Sequence, residues 1–240
     1  CETTGKSILK LTDEDYNKNG LSDLLALEGS SYDLNINMFN HFQNTITGWP
    51  GGKPGADDST RPERKSPNSK RVIIFSPHPD DDVVSMGGTF DRLVSQGHEV
   101  HIAYQVKGNI AVSDHDALKF IEVSKDMFKN NSKVPVGQLI KELVNNKPDK
   151  IDSQAVRDLK GFIRKREAIA ATRYIGIPDS NTHFMNLPFY DTGRIKKNPP
   201  TTKDVLITAS LIKKIKPHQI FAAGDLEDPH GTHKVCLDVI

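Results

Sequence analysis

Cysteine is nearly missing from this chain: among 240 residues only Cys1 and Cys236 carry a thiol. A disulfide scaffold is thereby excluded, and a reducing cytosol is the expected compartment. Cys236 stands between Val235 and Leu237 and reads as packed rather than nucleophilic. No apolar run approaches the roughly 18 residues a membrane span needs. Excess charge is missing too, with 32 basic against 31 acidic residues. No overall field therefore points to nucleic acid or to an anionic membrane as partner. No basic stretch followed by an apolar core opens the chain, so a signal peptide is not expected in these residues. The composition left over is that of a soluble globular protein with room for one substantial domain and an extension. The chain opens without methionine and stops at Ile240, inside a stretch that reads as helical from Thr232. A longer parent protein is the expectation.

Three regions differ in texture. Residues 1–47 carry two helical patches, around Asp15–Leu27 and Leu34–Thr47. Residues 48–70 open on Gly48-Trp49-Pro50-Gly51-Gly52 and continue basic and proline-containing, which reads as a linker that Trp49 anchors. From residue 71 to 240 the pattern alternates. Strands are expected at Val72–Ser76, Glu99–Val106, Thr182–Leu187 and Gln219–Ala223. Helices are expected at Gly87–Ser95, Asp114–Asn130, Ser153–Ile175 and Lys203–Ile215, with Gly97 stopping the first. Strands alternating with helices imply an α/β fold, a doubly wound, mostly parallel sheet with helices on both faces and a helical N-terminal extension. One calcium-like loop, Asp15 to Asp23 with Gly20 at its sixth position, has Ala26 where the bidentate glutamate belongs. It reads as a polar turn before a helix.

The chemistry concentrates in two clusters. Ser76-Pro77-His78-Pro79-Asp80-Asp81-Asp82 follows the apolar run Val72–Phe75, and Asp228-Pro229-His230-Gly231-Thr232-His233 follows Ile220–Ala223. Open α/β sheets build their sites beyond the carboxyl ends of strands. His78 and Asp81, three residues apart on a loop, can converge on one ion, and His233 can supply a third ligand. Zinc fits such a set, and other divalent ions fit it as well. Asp80, between the two ligands, is placed to act as general base, and His230 to stabilise an oxyanion or protonate a leaving amine. Alternatives stand beside this. A lone His-Pro-Asp-Asp is often a helix N-terminus with acids near the dipole, a role assigned to Asp82, and lone His230 and His233 are often surface residues.

These residues resemble the zinc-dependent de-N-acetylases of the PIG-L/LmbE type. Their first motif stands here as Pro77 to Asp82, followed by Met86-Gly87-Gly88-Thr89. Their central Arg-x-x-Glu helix is similar to Arg164–Glu167, with Ile175-Gly176-Ile177 after it, and their last motif is similar to His230–His233. The resemblance runs from about Arg71 onward. It implies a Rossmann-like fold, zinc on His78, Asp81 and His233, Asp80 as base and His230 as the electrophilic or acid histidine. An N-acetylated amino sugar is the implied small-molecule substrate.

Two positions depart from that pattern. Thr232 stands where the family has an acid, leaving Asp228 or Glu227 to replace it, and Lys107-Gly108-Asn109 stands for Arg-Gly-Glu. By the resemblance, Lys107 and Asn109 meet substrate, the lysine as a point charge without a bidentate fork. The junction Ile46–Gly55 also resembles that of fusions in which a glucosamine-6-phosphate deaminase-like domain precedes a de-N-acetylase-like one. A fused upstream domain is thus an implied partner, with self-association left open. A catalytically silent sugar-phosphate-binding module is the alternative function.

Overall fold

The computed structural model describes residues 1–45, 69–127, 136–146, 150–194, 196–224, 227 and 229–240. Trp49, the junction, residues 128–130 of the expected Asp114–Asn130 helix and Asp228 lie outside that set. The chain divides into two units, Cys1–Lys70 and Arg71–Ile240.

The first unit holds helices α1 (Asp13–Lys18), α2 (Ser22–Glu28) and α3 (Ser31–Thr45). The helix expected over Asp15–Leu27 is split, because Gly20 turns the chain at φ 72° between α1 and α2. The carboxylate of Asp15 is engaged locally rather than in an ion loop. It accepts from the Thr12 amide and hydroxyl, as a capping box, and from Lys6 Nζ at 2.7 Å. The Tyr16 hydroxyl donates to Asn35 Oδ1, whose amide donates to the Leu11 carbonyl, each at 2.7 Å.

The second unit is built on strands β1 (Arg71–Ser76), β2 (Glu99–Tyr104), β3 (Thr182–Phe184) and β4 (Gln219–Ala222). They form an all-parallel sheet in the order β3-β2-β1-β4. Chain order runs outward from β1 to β3 and then returns to β1's other side, so the sheet is doubly wound. Its switch point lies between β1 and β4. Val72 to Phe75 are all buried, as a strand covered on both faces requires. Helices α4 (Asp81–Ser95) and α7 (Gln154–Ile175) cover one face, where Phe90, Leu93 and Ala168 pack on Val72, Ile74 and Ile102. Helix α8 (Thr202–Ile215) covers the other through Ile215, Leu211 and Ile212 against Ile73, Phe75 and Ala103. Helices α5 (Asp114–Met127) and α6 (Val136–Val144) pack with α7, and α9 (Thr232–Asp238) follows β4.

Three boundaries move from their expected places. Helix α4 starts at Asp81, where the acidic helix start assigned to Asp82 put it rather than at Gly87, and breaks its geometry at Met86. Strand β3 ends at Phe184 because Asn186 adopts φ 49°, although the Met185 and Leu187 amides still donate to β2 residue Tyr104 and to Gln105 at 2.9 Å. Strand β2 ends at Tyr104, where the amides of Gln105 and Val106 turn to the carbonyls of Ser76 and Pro77. That last pairing fastens the loop after β2 beside the loop after β1.

Candidate functional site

The loop leaving β1 is held by its own backbone. Ser76 Oγ donates to the His78 carbonyl at 2.5 Å, and the Asp80 amide donates to the same oxygen at 2.9 Å. The His78 amide donates to Asp81 Oδ2 at 2.7 Å, which fixes that carboxylate beside the His78 ring. Gly108 must lie close on the other side. At φ 65°, a Cβ there would meet Pro79 Cδ at 2.9 Å, so glycine permits the approach of the two loops.

Helix α9 brings the second cluster to this loop. Cys236 and Val239 pack with Leu187, Phe189 and Tyr190, and the buried Gln105 amide donates to the Cys236 carbonyl at 2.8 Å. With that face of α9 committed inward, His233 faces the β1 loop. His78 Nδ1 stands 3.2 Å from Asp81 Oδ2 and 3.2 Å from His233 Nε2, and His233 Nε2 stands 3.3 Å from Asp81 Oδ2. Ligand atoms about 2.0–2.1 Å from one tetrahedral ion lie about 3.3–3.4 Å from each other. The three atoms therefore have the spacing of one face of such a tetrahedron, and the donor set suits a divalent cation. Among the described residues it is the one group of three or more potential ligands with this spacing. Burial works to raise the Asp81 carboxyl, but the His78 hydrogen bonds and the nearby His233 outweigh it and hold the group below the usual carboxylate range.

Asp82 is not a solvent-facing acid at the helix start. It is 2 % exposed, its carboxylate accepts the Tyr104 hydroxyl at 2.9 Å, and its amide donates to Ser76 Oγ at 3.0 Å. Burial pushes its carboxyl up, the Tyr104 bond opposing. Asp82 so ties the β1 exit to β2 within the core.

A cavity of about 480 Å³ opens over the triad, lined also by Asp80, Arg164, Tyr190, Lys197 and His230. Asp80 keeps an exposed side chain, and its Oδ2 pairs with Arg164 Nη2 at 2.8 Å. Arg164 also donates to the Pro79 carbonyl at 3.3 Å and pairs with Glu167 at 3.0 Å. Tyr190 lies edge-on to His78 at 5.9 Å between ring centroids, and Lys197 Nζ sits 3.7 Å above the Tyr190 ring. Burial brings the Lys197 amine down to about 8, with Asp191 opposing. Neither Tyr190 nor Lys197 belongs to a readable motif, and only the fold places them here.

His78, Asp80, Asp81, His230 and His233 thus share one cavity. Thr232 lines it from a buried position, while Glu227 is exposed. Lys107 points elsewhere, its amine 3.1 Å from Asp158 and 3.9 Å from Asp191, lining two neighbouring cavities. Asn109 is buried in a short 3-10 turn.

Residues 73–240 match the PIG-L family, described as GlcNAc-PI de-N-acetylase. A protein of Bacteroides thetaiotaomicron named as glucosamine-6-phosphate deaminase-like is 55% identical over 247 residues. The match covers 100% of this chain and 37% of that protein, so the chain spans little more than a third of the relative's length.

Proposed function

This chain belongs to the PIG-L family, and we propose that it is a metal-dependent hydrolase removing acetyl from an N-acetylated amino sugar of the N-acetylglucosamine type. One observation carries the reading: the His78, Asp81 and His233 ligand atoms stand 3.2–3.3 Å apart at the switch point of the sheet. Zinc, or another divalent ion, held by these residues supplies Lewis acidity toward an amide carbonyl and makes water nucleophilic at neutral pH.

The remaining work falls to side chains of the cavity. Asp80, oriented by Arg164, takes a proton from the attacking water. The water oxygen bonds to the acetyl carbon, and the C–N bond then breaks to release acetate. His230, at the cavity wall, stabilises the developing oxyanion or returns a proton to the leaving amine. Lys107 and Asn109 are assigned to substrate through the adjoining loop rather than to the reacting atoms.

A second reading rests on Thr232, which stands where the family resemblance calls for an acid. In that reading the chain is a silent sugar-phosphate-binding module fused to a glucosamine-6-phosphate deaminase. The relative's name and the 37% coverage support a fused neighbour in either case, with residues 1–47 as its tail, 48–70 as linker and 71–240 as the hydrolase domain. Acetate release from N-acetylglucosamine by the zinc-loaded chain decides between them. Turnover that requires metal supports the hydrolase, and its absence across N-acetylated amino sugars supports the silent module.

A further inference from the structure

Beside the triad cavity, across Pro79, lies a second one of about 280 Å³. Its wall is helix α7, which supplies Asp158, Gly161, Phe162 and Lys165, and Lys107, Phe184 and Asn186 complete it with Pro79. Three features of this cavity call for a ligand. Phe162, a large apolar ring at the cavity's edge, is 63% exposed. Lys165 Nζ rests 4.8 Å from the Phe184 ring centroid and has no carboxylate at ion-pair distance among the described residues. Lys107, by contrast, is already paired with Asp158. Asp158 at 3.1 Å and Asp191 at 3.9 Å both face the Lys107 amine, so Lys165 is the lining cation left without a carboxylate among the described residues.

We propose that this cavity is a subsite for an anionic, phosphate-bearing part of the substrate, with Lys165 as its cation and Phe162 as the apolar surface along the sugar ring. A phosphate ester presents oxygens to an ammonium donor, and a sugar's C–H face lies well on an aromatic ring. Pro79 bounds this cavity while its neighbours His78 and Asp80 bound the triad cavity. In the proposed pose one ligand lies across Pro79, its acetamido end over the triad and its anionic end over α7. The spanning pose rests on the hydrolase reading, while the anion subsite itself does not.

The test uses product-like probes that cannot be hydrolysed: glucosamine, glucosamine 1-phosphate and glucosamine 6-phosphate, titrated calorimetrically into the zinc-loaded full chain. One phosphorylated probe should bind about tenfold more tightly than glucosamine, as a charge-assisted hydrogen bond provides. Lys165→Met should bring the two affinities within about twofold of each other, and Lys165→Arg should keep most of the gain. Equal affinities in the unaltered chain, or a gain that persists in Lys165→Met, would overturn the subsite. Acetate release without a phosphate gain removes the subsite and leaves the hydrolase. A Lys165-dependent gain without acetate release does the reverse.

Discussion

Arg164 Nη2 lies 2.8 Å from Asp80 Oδ2 and 3.3 Å from the Pro79 carbonyl. One guanidinium thereby sets both the position of the proposed base and the backbone between it and His78. Nη2 makes both contacts while Nη1 pairs with Glu167 at 3.0 Å, so the planar group is fixed in direction as well as charge. Arg164→Gln should lower kcat by roughly 10–100-fold through misplacement of Asp80, with bound zinc unchanged. Steady-state kinetics beside metal analysis checks this, and lost metal would move Arg164 to a different role.

Asp80→Asn keeps the shape and removes the proton acceptor. Turnover should fall by roughly 100- to 10,000-fold while zinc stays bound, since Asp80 contributes no atom to the triad. Turnover within a few-fold of the parent would remove Asp80 from the base role.

Lys160 is 6% exposed and bridges Asp114 at 2.6 Å and Asp152 at 2.7 Å, tying the start of α5 to the segment before α7. Burial works against its charge, but the two carboxylates outweigh it and raise the amine. Lys160→Met leaves two carboxylates facing each other. The expected loss is about 3 kcal/mol, the lower end for breaking a buried pair, because Asp114 keeps contact with water. Urea denaturation measures it.

A pH effect on stability should arise far from the triad. His183 packs against His101, ring nitrogens 3.1 Å apart, and burial first, then the like charges of His101 and Lys214, bring it down to about 4. In the unfolded chain the same ring takes its proton near 6.5. Between these values the unfolded state binds more protons, so stability is full above about pH 6.5 and falls as pH drops toward 4. His183→Gln should flatten that part of the stability–pH curve. An unchanged slope would assign the acid sensitivity to other groups.

Much of the fold was legible because parallel strands buried on both faces announce themselves as apolar runs, as Val72–Phe75 does. Helix α6 was missed although Val136, Leu139, Ile140 and Leu143 follow the helical period and pack in the α5–α7 cluster. The start of α4 was legible from the acidic run before Val83, whereas its break at Met86 was not. His78, Asp81 and His233 were legible from their places after two strands, since the switch point brings such loops together. The pairing of Arg164 with Asp80 was not, because 84 positions separate them and no local pattern encodes a tertiary contact. Lys107 shows the same limit: its charge was readable, but its partner Asp158 lies on α7.

The central claim is that His78, Asp81 and His233 hold one divalent ion, and metal stoichiometry tests it most directly. The purified chain is exposed to zinc, freed of loose ions and analysed beside His233→Ala. About one zinc per chain, lost in His233→Ala, is the predicted result. No retained zinc, or zinc retained equally by His233→Ala, would contradict the account.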